Sequence, residues 1–207
     1  MINGDKNFLD KVITGDESWC FAYDPETKRL SSVCVGEHSP RLKKLSFQKS
    51  RVMMMLIVFF DSQSIVHKEF VHEGRTANAE YYKGVLDSLI WRIRRVRRAL
   101  YRTRDFFLLH DNAPAHSAAI IRQFLTQKQV ATLHHPPYSP DLSLSDYFLF
   151  PKVKLNLKGA RFDTTEEIQK AVTDQLNKIP SEDFSNAMKK VETRANLCIT
   201  SNGCYFE

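Results

Sequence analysis

Three aspartates in this chain stand in short contexts whose residue types could do chemistry together. The contexts are Thr14-Gly15-Asp16-Glu17-Ser18-Trp19, His110-Asp111-Asn112-Ala113-Pro114-Ala115-His116, and Tyr138-Ser139-Pro140-Asp141-Leu142-Ser143-Leu144-Ser145-Asp146-Tyr147, with 34 residues between Asp111 and Asp146. Carboxylates are what hard cations such as Mg2+ and Mn2+ prefer, because these ions take oxygen ligands and keep several waters. Two such ions about 3.5–4 Å apart can activate an attacking oxygen and neutralise a leaving one when a phosphodiester is cut in line. A lone Asp in a loop is more often a turn or cap residue, and that is the reading for Asp24, Asp61, Asp105 and Asp141. Glu17 is expected to face away from Asp16, since neighbouring strand residues alternate faces.

Other clusters are less specific. His110, His116, His134 and His135 lie near Asp111 in sequence, but no HExxH or Cys2His2 spacing makes them a zinc site. Between Trp91 and Arg104 runs the strongest charge cluster, with Arg92, Arg94, Arg95, Arg97 and Arg98 on one side of a helical pattern. Such a face either follows a phosphate backbone or is the solvated side of an amphipathic helix, and the sequence leaves both open. Arg41, Lys43, Lys44, Lys49 and Arg51 form a second basic set. With 30 Lys and Arg against 24 Asp and Glu the net charge is +6, which favours an anionic partner such as nucleic acid. No apolar run reaches the roughly eighteen residues of a membrane helix and the N-terminus has no signal pattern, so no membrane association is expected. Cys20, Cys34, Cys198 and Cys204 lack a Cys-x-x-Cys pair and read as free buried thiols in a reducing compartment.

The elements that must position these residues follow from pattern. Val12 to Thr14 and Trp19 to Tyr23 are β-prone and end at the turn signal Asp24-Pro25, placing Asp16 on or beside a first strand. Arg29 to Val35 reads as a strand, Gly36 to Ser50 as a basic loop, Arg51 to Phe60 as a buried central strand, and Ile65 to Val71 as its hairpin partner. From Asn78 the period changes: Tyr82, Val85, Leu86, Leu89, Ile93, Val96 and Leu100 share one face of a helix. Phe106 to Leu109 is a strand ending at Asp111, Ala115 to Gln127 a helix, and Val130 to His134 a strand. Ser143 or Ser145 caps a helix whose first turn holds Asp146, where the dipole tolerates a carboxylate. Thr164 or Thr165 begins another, and Ser181-Glu182-Asp183 caps the last, running toward Asn196. Strands first and then strands alternating with helices imply an α/β fold, a mixed central sheet flanked by helices.

The three aspartate contexts, their 34-residue interval, and the segments Tyr23-Asp24-Pro25-Glu26-Thr27-Lys28, Asn78-Ala79-Glu80-Tyr81-Tyr82 and Gly159-Ala160-Arg161-Phe162 resemble the catalytic domain of mariner-type (DD34D) transposases, including the transposase half of a SET methyltransferase fusion. The similarity runs from about Asn7 to Glu207. It implies an RNase H-like fold over residues 1–207, without the helix-turn-helix DNA-binding region that begins complete mariner proteins. It implies a metal-dependent endonuclease and strand-transfer activity on DNA, with Asp16, Asp111 and Asp146 holding two Mg2+ or Mn2+ ions; the family pattern selects Asp146 over Asp141. Lys43, Lys44, Arg92, Arg95, His110, Asn112 and His116 are expected to contact nucleic acid, with positioning of the active-site backbone as the other reading for His110 and His116. A homodimer, nuclear localisation and no organic cofactor also follow from the resemblance. Where relatives have Trp after a Ser-Ser-Gln segment this chain reads Ser31-Ser32-Val33-Cys34, a departure in the clamp loop. Two readings of other classes stand beside the nuclease: a catalytically idle domesticated module that binds DNA or a partner, and a decayed element fragment.

Overall fold

Why the first half folds as it does is clearest in the run Met53–Phe60, which is apolar on both faces because both faces are covered. A computed structural model describes residues 7–27, 31, 48–71, 74 and 77–201. Among these, strands β1 (Val12–Phe21), β2 (Met53–Phe60) and β3 (Ile65–Val71) form an antiparallel meander. Strands β4 (Phe107–Leu109) and β5 (Ala131–Leu133) add in parallel beside β1, giving the order β3-β2-β1-β4-β5. In β2, Ile57 and Phe59 enter one core and Leu56, Val58 and Phe60 the other. Such two-sided burial produces a continuous hydrophobic strand rather than an alternating one. Of the expected strand over Arg29 to Val35 only Ser31 is described, in a turn, and of the expected basic loop only its last three residues; Lys43, Lys44, Cys34 and Cys204 lie outside the described residues. Cys20 and Cys198 are free thiols, the first buried.

Helix α1 (Ala79–Val96) covers the first face, burying Tyr82, Val85, Leu86, Leu89, Ile90 and Ile93, and Asn78 caps it by accepting from Tyr81 N at 2.9 Å. The predicted apolar face ran on to Leu100, but the helix breaks at Arg97, whose φ and ψ of −125° and 54° are not helical. The cause is an inward guanidinium: Arg97 Nε donates to Asp61 Oδ2 at 2.6 Å and Nη2 to Asp61 Oδ1 at 3.0 Å. Asp61 is fully buried in the β2–β3 turn and also accepts from the backbone of Gln63 and Ser64. Arg97 thus leaves the solvated arginine face, and the chain resumes as α2 (Arg98–Thr103).

Helix α3 (Ala119–Gln127) also packs on this side. It starts four residues later than the predicted Ala115, because residues between are held in a turn by Asp111 and the His116 side chain. On the other face lie α4 (Phe150–Leu157), α5 (Thr165–Asn177) and α6 (Ser181–Thr200), which bury Phe150, Val153, Ile168, Val172, Leu176 and Phe184 against Leu56, Val58 and Phe60. Thr164 caps α5 by accepting from Glu167 N at 3.2 Å, while Glu167 Oε2 accepts from Asp163 N at 2.9 Å, a reciprocal cap of the first turn. No side chain caps α6; Pro180 occupies that position, and the helix runs past Asn196 to Thr200. No described helix is long and apolar enough to cross a membrane.

Candidate active site

Asp16 rises from the middle of β1, opposite Val58, so its side chain is on the α4 side of the sheet, and Glu17, opposite Ile57, is on the α1 side. A Cβ on Gly15 would lie 2.1 Å from the Phe59 ring, so only glycine lets that ring pack flat against β1 beside Asp16. Asp111 follows β4, whose Leu109 pairs with Thr14 of β1. The third acid comes from the opposite layer. Residues Ser145–Leu149 form a wide π-type turn that runs into α4, with Asp146 in its first turn and Pro151 absorbed at the start of α4. Of the two predicted caps it is Ser143 that serves, its Oγ accepting from Asp146 N at 3.3 Å and donating to Asp16 Oδ2 at 3.4 Å.

All three aspartates line one open cleft of about 560 Å³, walled by Glu17, Asn112, His135 and the segment from Pro136 to Pro140. Burial pushes the Asp16 carboxyl up to about 7, with repulsion from Asp146, Glu17 and Asp111 adding to it against a hydrogen bond from Glu17 N at 2.7 Å. Asp111 moves the other way. The hydrogen bond from His116 holds it below the ordinary carboxylate range, helped by Ala113 N at 3.0 Å.

His116 connects the halves of this arrangement. Its ring is buried, with Nδ1 2.5 Å from Asp111 Oδ1 and Nε2 3.0 Å from Glu17 Oε1, and it stacks on Tyr82 at 3.9 Å between centroids. Burial opposes its charge, but the two carboxylates outweigh burial and raise it to about 9. With both nitrogens engaged inside the protein, His116 positions the two acids, the positioning role that the sequence reading offered beside nucleic-acid contact. His110 is held neutral, its pKa lowered to about 4 by burial and then by His116; its Nδ1 lies 3.0 Å from the Tyr82 hydroxyl. Asn112 Nδ2 donates to the His135 carbonyl at 2.6 Å and so ties the Asp111 loop to the opposite wall.

The structure does not bring every predicted residue to the cleft. Arg92 and Arg95 are exposed on α1 beyond Trp91, and lie on separate hollows from the aspartates. Counting from Tyr82, which touches His110 and His116, Arg95 is roughly 20 Å further along the helix axis. Sequence reasoning gave no site role to Glu17, Tyr82 or Tyr138, and none to Ser143 beyond its cap. Strand alternation rightly put Glu17 on the far face from Asp16, but its partner on that face, His116, returns it to the site. Tyr138 is wholly exposed on the cleft wall with φ of 54°, a left-handed conformation uncommon for such a side chain; no local signal marks it beyond the flanking prolines.

Acids raised from a central strand, from the end of its parallel neighbour and from a helix start on the opposite layer define an RNase H-like nuclease-class domain. Comparison narrows this. Residues 35–169 match the family described as DDE superfamily endonuclease. The chain is 32% identical over 204 residues to the Mariner Mos1 transposase of Drosophila mauritiana, covering 98% of this chain and 58% of that protein. It is 27% identical over 205 residues to the human histone-lysine N-methyltransferase SETMAR, covering 99% of this chain and 30% of that one. Among solved structures, the catalytic domain of Mos1 mariner transposase superposes with a TM-score of 0.79 at 31% identity, covering 98% of this chain and 87% of that one. A pre-cleavage Mos1 transpososome gives 0.89 at 32% identity, and the Mos1 mariner paired end complex with Mn gives 0.88 at 33%; in each 98% of this chain and 58% of the other are covered. The chain belongs to the DDE superfamily endonucleases, in their mariner transposase branch, and has their RNase H-like fold. It spans just over half the length of Mos1.

Proposed function

We propose that this chain is a DNA transposase catalytic domain that cuts and joins phosphodiester bonds, with Asp16, Asp111 and Asp146 as ligands of two Mg2+ or Mn2+ ions. The observation that carries the reading is that three aspartates from three remote segments border a single cleft on this fold. Among the described residues no three acidic, His or Cys side chains close around one point as a preformed cation cage. The donor set nevertheless fits hard cations. It is all oxygen, it is open to solvent on one side, and the Asp16 carboxylate is destabilised by burial and by its acidic neighbours in a way that positive charge would relieve. A likeness to the Mos1 paired end complex with Mn supports the same choice of ion.

Bound cations would supply Lewis-acid activation of the attacking oxygen and neutralisation of the leaving one. The chain's own residues supply position. His116 fixes the rotamer of Asp111 and keeps it ionised; Ser143 couples Asp16 to the turn that presents Asp146; Asn112 holds the two walls of the cleft together. Glu17 balances the His116 charge from below. The test is purified protein with Mg2+ or Mn2+ on duplex DNA. Metal-dependent nicking that Asp111→Ala abolishes is the expected result; DNA binding without nicking in either metal would overturn the proposal and leave an idle binding module.

A further inference from the structure

We infer that the elbow between α1 and α2 is a second nucleic-acid site, one that takes an unpaired strand by stacking a base on Trp91 and seating its phosphates on the surrounding arginines. The inference rests on nucleic acid being the partner of this chain, as proposed above, but on none of the aspartates. A hollow of about 670 Å³ is lined by Trp91, Arg94, Arg95, Arg98, Tyr101 and Arg102, all outside the aspartate cleft. Trp91 is 58% exposed, although burying such a ring would ordinarily stabilise a fold. It also lines an adjoining hollow, in which Lys68 and Arg92 stand with Asp87.

The elbow is built rather than incidental. The Arg97–Asp61 pair interrupts the helix at Arg97, and Tyr101 and Arg102 beyond the break line the same hollow as Trp91. Arg95 lies over the Trp91 ring at 5.6 Å and Arg104 over the Tyr101 ring at 4.2 Å, so guanidinium and aromatic groups are already interleaved. The acids around the hollow are occupied: Asp61 by Arg97, Asp87 by Lys128 at 2.9 Å, and Asp105 by Lys11 at 2.6 Å. Among the described residues no carboxylate lines the hollow itself. A positive groove with an exposed aromatic platform binds single strands with little sequence preference, since every base has a stacking face. Arginines alone on a smooth helix face would suit a duplex backbone equally well; the exposed indole within the arginine set favours a strand with free bases.

The experiment is fluorescence anisotropy of a labelled oligo-dT of about fifteen nucleotides and of a duplex of equal length, in EDTA so that no cutting occurs. Trp91→Ala should weaken oligo-dT binding about tenfold, the loss expected from one stacked base, while Trp91→Phe recovers most of it and the melting temperature is unchanged. Arg95→Ala with Arg98→Ala should reduce the slope of log K against log salt by about 1.4 for the single strand. Oligo-dT binding that ignores Trp91→Ala would overturn the inference while leaving nicking in the cleft intact. A Trp91→Ala change that alters only the oligomeric state would overturn it in favour of a contact between copies. Failure of nicking with the Trp91 effect preserved would sink the proposed function and spare this site.

Discussion

His116 holds two carboxylates on one ring, and much of what can be tested at single residues passes through it. Replacing it by Ala frees Asp111 to rotate and leaves Glu17 half-buried without its partner. A 10–100-fold loss of metal-dependent nicking is expected, the usual cost of removing a group that orients a ligand, and a Mg2+ titration should show the loss as weaker apparent metal affinity. Retention of full activity at all Mg2+ concentrations would remove His116 from the site. The ring also sets a pH dependence. Because its pKa is raised from 6.5 to about 9, its contribution to stability is complete below about pH 6.5 and disappears as pH climbs through about 9. Thermal melting of metal-free protein should therefore decline across that window, by an amount on the order of 1–3 kcal/mol, and His116→Gln should flatten the decline. Asp16 acts in a lower window. Its carboxyl, raised from 3.8 to about 7, contributes stability present below about pH 4 and lost as pH rises through about 7. Millimolar Mg2+ should cancel that second loss, because a cation takes the place of the proton; melting curves insensitive to Mg2+ at pH 7 to 8 would contradict the convergence of carboxylates.

Elements matter here for the residues they aim. Gly15→Ala forces a methyl into the ring of the fully buried Phe59, and overpacking of this kind costs about 1–3 kcal/mol. Urea unfolding should detect it, and nicking should fall because Asp16 is the next residue on the strand. Arg97→Ala strands the fully buried Asp61 carboxylate, which should cost about 3–5 kcal/mol in the same measurement; a change under about 1 kcal/mol would contradict the part given to this pair. Both elements show what the sequence could convey. Apolar runs announced β2 and β3, and the three-and-four spacing from Tyr82 to Ile93 announced α1, since those patterns are burial written along the chain. The break at Arg97 was hidden, because an arginine that turns inward to a residue 36 positions earlier looks like its solvated neighbours. The late start of α3 was hidden too: Ala115 and Ala118 are good helix formers, but the His116 ring, held by nearby Asp111 and by remote Glu17, keeps the segment in a turn.

The whole molecule reduces to one sheet whose two faces deliver different parts of the cleft. The α1 side carries Glu17, Tyr82 and His116 behind Asp111, and the α4 side brings Ser143 and Asp146 over Asp16. The architecture was readable because the alternation of strands and helices is a global pattern, and the aspartates because their contexts match a family. The supporting shell was not, since Glu17 and His116 are 99 positions apart and no local rule links them. At this scale Asp16, Asp111 and Asp146 are proposed to share divalent ions, and anomalous diffraction from crystals grown with Mn2+ would locate them. Two peaks about 3.5–4 Å apart, bridged by these three carboxylates, are expected. Mn2+ bound with one of the three side chains out of reach, or no peak in the cleft at saturating metal, would contradict the proposal.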